Sequence, residues 1–262
     1  MDYFSTIRSE LKQKILLDLL NGQKKLSDLK ANINIRETSI LHVLKEFENL
    51  NLTTKTGGNY CLTSLGLIEA QICQEVISTE EVLEKFKDFW LMHEITPIPA
   101  YLISRLGALK DSTLIRTEKT ELGQVYNNFL QILMTSKIVT GISPIFHPDY
   151  VPVIVQLLSQ GNSVDLILTS GVLNKTLSAA NLDEQIMKNF VEGRLKIFLN
   201  EDIRVALTVT DKTLSLGLFT SDGQYDDNMD LISTNPNAIR WGADLFQNKL
   251  NESRRIGPEA LV

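Results

Sequence analysis

The strongest constraint on this chain lies between Leu11 and Thr63, where apolar residues recur first with the period of helices and then with that of strands. Leu11, Ile15, Leu16 and Leu19 share one helical face, and Asn21-Gly22 supplies residues that tolerate the left-handed backbone on which helices end. A short second helix is expected over Leu26 to Ala31, carried by Leu26 and Leu29. Asn32-Ile33-Asn34 then turns the chain into a third helix from about Arg36 to Asn49. Leu52 to Thr56 and Asn59 to Thr63 are β-prone runs around Gly57-Gly58, as in a two-stranded hairpin. Three helices closed by a hairpin are the layout of a winged helix-turn-helix.

A helix that reads DNA must bury one face in its own domain and offer the other. In the third helix Ile40, Val43, Leu44 and Phe47 form the stripe to be buried. At about 100° per residue, Thr38, His42, Lys45 and Asn49 fall on the opposite face. Ile35 and Ile40 have the spacing of a hydrophobic staple and place the helix start near Arg36. Residues early in such a helix reach base edges, and flanking lysines hold phosphates. Thr38, Ser39 and His42 are therefore base-edge candidates, and Lys24, Lys25, Lys45 and Lys55 phosphate candidates. Thr54, Thr56, Asn59 and Tyr60 add neutral contacts from the hairpin.

Charge argues the other way. Residues 1 to 63 carry nine Lys and Arg against seven Asp and Glu, while the whole chain has a net charge of −6. Phosphate neutralisation supplies most non-specific DNA affinity, so the module needs a locally positive face with Asp18, Glu46 and Glu48 turned from it. The alternative is a winged helix used for protein contacts alone.

The 262 residues suffice for two domains, and 43% hydrophobic with 22% charged is ordinary for a globular chain. No run reaches the roughly 18 apolar residues of a membrane span. Met1-Asp2-Tyr3-Phe4 lacks the basic then apolar layout of a secretory signal, and the chain reads as cytoplasmic. Cys61 and Cys73 are too few for a disulfide framework, and no zinc site or other cofactor is implied.

Ser64 to Met92 reads as one long helix with Leu65, Ile68, Ile72, Val76, Leu83, Phe86 and Trp90 near one side. Such a stripe either pairs two copies, setting two recognition helices on two half-sites, or packs on its own C-terminal domain. Pro97 and Pro99 end it. The expected division is a DNA-binding domain at 1–64, a linker or dimerisation helix at 65–96 and an effector domain at 97–262.

Beyond residue 100 helices and strands alternate. Helices are expected at Tyr101 to Leu109, Glu121 to Thr135, Tyr150 to Ser159, Val172 to Val191 with a break near Asn181, and Pro236 to Arg255. Strands are expected at Thr113 to Thr117, Ile138 to Ile142, Val164 to Thr169, Leu195 to Leu199, Val205 to Thr210 and Leu214 to Phe219. Val164 to Leu168 and Val205 to Val209 are near-continuous apolar runs, as in strands covered on both faces. This is an α/β domain with a mixed sheet.

Several strings in that domain are shared, in order, with a known family: Thr140-Gly-Ile-Ser-Pro-Ile-Phe-His-Pro-Asp-Tyr, Val164-Asp-Leu-Ile-Leu-Thr, Leu214-Ser-Leu-Gly-Leu-Phe, Gly223-Gln-Tyr-Asp, Asp230-Leu-Ile-Ser and Trp241-Gly-Ala-Asp-Leu-Phe. The chain resembles, over nearly its whole length, archaeal winged-helix transcriptional regulators of the methanogenesis-regulatory-protein family. The resemblance implies transcriptional regulation, with the C-terminal domain as sensor or dimerisation unit. That domain is also similar to the phospholipase D-like fold. Enzymes of that fold need a His, a Lys two residues later and an Asp five beyond, where this chain has Arg204, Ala206 and Asp211. Covalent catalysis by that route lacks its nucleophile.

The three histidines are His42, His93 and His147. His147-Pro148-Asp149-Tyr150 sits beyond a strand end and opens a helix, a usual place for binding residues in α/β domains and equally a helix cap. With Thr169, Ser170, Arg204, Asp211, Tyr225 and Asp226 near other strand ends, His147 and Asp149 are the effector-site candidates. The first expectation is a homodimeric DNA-binding regulator that responds to an unknown small-molecule effector. An enzyme with the winged helix as docking module, or an interaction protein with no pocket, are the alternatives; the enzyme requires His147, Arg204 and Asp211 to converge.

Overall fold

The computed structural model describes residues 8–117, 124–179 and 184–257. The chain divides into two compact units, Met1–Glu81 and Val82–Val262.

In the first unit α1 (Glu10–Leu20), α2 (Leu26–Ile33) and α3 (Glu37–Asn49) precede a hairpin of β1 (Thr53–Thr56) and β2 (Asn59–Leu62), and α4 (Ser64–Lys85) follows. The order is the one expected from the pattern. Ser9 caps the start of α1, its hydroxyl accepting from the Lys12 amide at 3.5 Å. Asn34 leaves α2 at φ +54° and sets the turn into α3. Gly57 and Gly58 both hold positive φ, +57° and +83°, which lets two residues reverse an antiparallel pair whose register matches Thr56 with Asn59. Ile15, Leu16, Leu29, Ile40, Leu44 and Phe47 make a core of fully buried side chains, joined by Ala70 and Cys73 of α4. Burial and the nearby Glu69 and Glu80 push the Cys73 thiol above its ordinary range, as in an inert packed cysteine.

The long helix expected from Ser64 to Met92 is two helices. The backbone breaks at Phe86, φ −117° and ψ 28°, between α4 and α5 (Lys87–Met92). Residues 65–81 belong to the first unit and 82–96 to the second. The helix expected over Tyr101 to Leu109 is likewise split into α6 (Ala100–Ile103) and a 3-10 turn at Leu106–Leu109.

The second unit is an eight-stranded mixed sheet with helices on both faces. Its strands are β3 (Thr113–Arg116), β4 (Ile138–Ser143), β5 (Ser163–Leu168), β6 (Leu195–Leu199), β7 (Val205–Thr210), β8 (Leu214–Leu218), β9 (Met229–Ser233) and β10 (Arg254–Arg255). Their spatial order is β10-β6-β5-β4-β7-β8-β9-β3, with β4, β5 and β6 parallel and all other pairs antiparallel. The helices are α7 (Gln124–Met134), α8 (Tyr150–Ser159), α9 (Ser170–Ala179), α10 (Glu184–Val191) and α11 (Pro236–Asn251). The expected helix start at Glu121 and the break near Asn181 lie outside the described residues. The last helix ends at Asn251 rather than Arg255, because Arg254 and Arg255 pair with Leu199 and Phe198 at the edge of β6.

Strand alternation sorts the core. Leu207, Val209, Leu214, Leu216 and Leu231 face one side, where Trp241 and Leu245 of α11 cover them. Val139, Val164, Leu195 and Ile197 face the other, under α7 to α10. Every residue of β8 is buried, as a strand covered on both faces requires. Among the described residues no helix is long and apolar enough to cross a membrane.

Candidate functional site

Two surfaces carry the candidate residues, one in each unit. On α3 the apolar stripe is buried and Thr38, His42, Lys45 and Asn49 are exposed, with Ser39 half-buried beside them. Glu46, next to Lys45, forms an ion pair with Lys12 of α1, while Glu48 is exposed beside Asn49. Lys55 is exposed on the hairpin, its ammonium 4.9 Å from the centre of the Tyr60 ring. Thr54 and Thr56 are exposed and Asn59 half-buried. Tyr60 differs from expectation: its side chain belongs to the core at 4% exposure, and its backbone pairs with Lys24, so it supports the hairpin instead of presenting a contact. Alternation explains this, since β2 must send one aromatic inward to close the unit. Lys24 is half-buried and lies 3.8 Å from Asp18, while Lys25 is exposed at the start of α2.

The second surface is a cavity of about 700 Å³ between the sheet and the helices on its second face. Its origin is a deficit of side-chain volume. Where β5 and β6 present Leu166, Leu168 and Ile197 to that face, neighbouring β4, β7, β8 and β9 present Gly141, Thr208, Ala206, Ser215, Gly217 and Asp230. Small residues across four adjacent strands leave a floor that α7 and α8 roof over with Phe129, Leu133, Tyr150 and Ile154. Tyr225 packs so closely over Gly217 that an added Cβ there would meet the phenol oxygen at 2.5 Å. Burial, followed by the carboxylates of Asp230, Asp227 and Asp226, pushes that phenol above its ordinary range.

Asp230 is the feature that sequence reasoning missed. It is 3% exposed, and one carboxylate oxygen accepts from the Ser215 hydroxyl at 2.7 Å. The other makes no close hydrogen bond among the described residues. Burial pushes this carboxyl up to about 6, against the opposing pull of Ser215 and of the Leu216 and Leu231 amides.

Of the expected effector residues, His147 and Tyr225 line the cavity. The others are engaged elsewhere. The Asp149 amide donates to His147 Nδ1 at 3.3 Å, and Asp149 opens α8 outside the cavity lining. Thr169 Oγ1 caps α9 by accepting from the Val172 amide at 3.2 Å, and the Ser170 amide and hydroxyl both donate to Glu201. Arg204 pairs with Glu94 at 3.4 Å. Asp211, at the far end of β7, accepts from the Lys137 amide at 2.9 Å. Asp226 pairs with His93 at 3.2 Å. The constellation His147, Arg204 and Asp211 therefore does not form, because Arg204 and Asp211 flank opposite ends of one strand. Among the described residues no three His, Cys, Asp or Glu cluster as metal ligands.

Comparison with known proteins follows the same two units. A family profile described as the N-terminal domain of methanogenesis regulatory protein FilR1 matches residues 4–81, and one for its middle domain matches residues 122–252. The methanogenesis regulatory protein FilR1 of Methanothrix harundinacea (strain 6Ac) is 31% identical over 253 residues, covering 95% of this chain. The chain belongs to the FilR1 family. This FilR1-family chain spans 56% of that relative's length. Among solved structures, TrmBL2, described as an archaeal chromatin protein with a novel mode of DNA binding, is 12% identical over 94% of this chain and 93% of its own, with a TM-score of 0.45. The phospholipase D family member Nuc from Salmonella typhimurium is 11% identical over 55% of this chain and 97% of its own, with a TM-score of 0.40.

Proposed function

We propose that this chain is a DNA-binding transcriptional regulator that acts as a homodimer and responds to a small molecule held in the cavity of its second unit. The observation that carries the reading is α3: its polar face is exposed, its apolar face is the core, and Glu46 beside Lys45 is paired with Lys12. Thr38, Ser39 and His42 are assigned to base edges, and Lys25, Lys45 and Lys55 to phosphates. The family's regulatory name agrees with this reading. Pairing is assigned to α4, which carries Leu65, Ile68 and Ile72 exposed along one side. For the small molecule to regulate, it must bind differently in the DNA-competent and DNA-incompetent states.

Fluorescence anisotropy tests the reading, with the chain titrated onto its own promoter DNA and onto scrambled DNA across a salt series. Preferential binding that weakens with salt and is lost in Thr38→Ala/His42→Ala is the expected result. Equal, feeble binding to both DNAs at every salt concentration overturns it.

A further inference from the structure

The cavity of the second unit is mostly apolar, walled by Phe129, Leu133, Ile154, Leu166 and Val172, yet a carboxylate lies on its floor. Asp230 is 3% exposed, and one of its oxygens makes no close hydrogen bond among the described residues, where besides Ser215 the backbone amides of Leu216 and Leu231 are the only donors acting on the carboxyl. Asp227 adds a second carboxylate to the lining, and no Lys or Arg stands among the described lining residues. Burying a charge without a countercharge is expensive, and a ligand that brought a donor to Asp230 would offset that cost. Among the described lining residues an anionic ligand would meet two carboxylates, with the imidazole of His147 as the one basic side chain. A neutral alcohol would satisfy the hydrogen bond and leave the charge. An ammonium supplies both, and the lining also holds the aromatic rings of Phe129, Phe146, Tyr150 and Tyr225, side chains of a type whose faces attract cations.

We propose that the cavity binds a small, largely apolar molecule bearing a protonated amine, whose ammonium donates to Asp230 and whose apolar body lies between the sheet and helices α7 and α8. This deepens the effector reading by naming the ligand class. The site itself does not depend on DNA binding.

The test is calorimetric titration of the full chain at neutral pH with 2-phenylethylamine, 2-phenylethanol and phenylacetate, which share a body and differ in the head. The amine is expected to bind at least tenfold tighter than the alcohol, with no binding of the acid. Asp230→Asn is expected to weaken the amine at least tenfold and erase the preference. Thr208→Leu, which fills the cavity floor, is expected to weaken the amine and the alcohol together. It decides the matter should Asp230→Asn fail to fold. Equal binding of alcohol or acid, absence of binding by all three probes, or an amine affinity untouched by both variants overturns the proposal. Anisotropy on promoter DNA with and without the amine then separates the two readings. An amine that binds through Asp230 and leaves DNA affinity unchanged upholds the site and overturns only its regulatory role.

Discussion

His93 Nε2 lies 3.2 Å from Asp226 Oδ2, while the opposite ring nitrogen lies 2.6 Å from the Phe89 carbonyl oxygen. The imidazole is wholly buried, and Asp226 also accepts from the Asn228 amide at 2.9 Å. Together with the Glu94 amide donating to Phe219 at 2.8 Å, the pair fastens the end of α5 to the turn between β8 and β9. Asp226, an expected effector residue, is thus a fastening. Asp226→Ala leaves a ring nitrogen buried without its partner and is expected to cost about 1–3 kcal/mol in urea denaturation. The same variant should change 2-phenylethylamine affinity less than twofold, since Asp226 does not line the cavity.

Asp230 makes the opposite trade. Its carboxyl titrates near an ordinary 3.8 when unfolded and at about 6 in the fold. Between those values the folded chain holds more protons than the unfolded one, so stability falls as pH rises through this window and the full cost is present above it. A shift of about two units corresponds to about 3 kcal/mol. Asp230→Asn does not titrate. Its stability relative to the unmodified chain should therefore climb from near parity at about pH 4 to a gain approaching 3 kcal/mol by about pH 8. Denaturation midpoints across that range check this, and a difference that is flat with pH refutes it.

Much of this architecture is legible because single residues report single-element environments. The Ile40, Val43, Leu44 and Phe47 stripe is buried as its period requires, and Leu195 to Leu199 and Val205 to Thr210 form strands over those very residues. What escapes is what depends on pairing between distant elements. β9 reads poorly because Asp230 interrupts five residues whose burial is set by β8 and β3 on either side. The cavity floor is invisible for the same reason. Gly141, Thr208 and Ser215 become neighbours only once the register of β4, β7 and β8 is known. His147 and Tyr225 were within reach as polar residues next to strand ends, whereas Thr169 and Ser170 satisfy the same criterion by capping a helix.

Pairing through α4 makes a prediction that leaves the fold of one chain untouched. Ile68 and Ile72 are 56% and 48% exposed, so replacing both by Glu removes no core packing. Two carboxylates on an apolar seam oppose association by desolvation and by repulsion from their symmetry mates. The unmodified chain is expected to sediment as a dimer and Ile68→Glu/Ile72→Glu as a monomer, with an unchanged circular dichroism spectrum. Affinity for a two-half-site operator should fall at least tenfold, because each half-site is then bound alone.

Gly66 sets sequence preference against structure. It lies in the first turn of α4, where the Gly66 amide donates to Thr63 Oγ1 at 3.0 Å, and helix propensity alone favours Gly66→Ala by up to about 1 kcal/mol. Thr63 is itself tied to the hairpin, its amide donating to the Leu52 carbonyl oxygen at 2.9 Å. That bond draws the start of α4 so close to the backbone before β1 that a Cβ on Gly66 would lie 1.9 Å from the Leu52 oxygen. The obstacle is backbone on both sides, and no rotamer relieves it. Gly66→Ala should therefore destabilise the first unit by at least about 2 kcal/mol, by forcing α4 off the hairpin. Urea denaturation followed by the ring signal of Tyr60, buried beneath Lys55 in the same core, reads the effect; a variant as stable as the parent, or more so, would show that the helix and hairpin do not meet at Leu52.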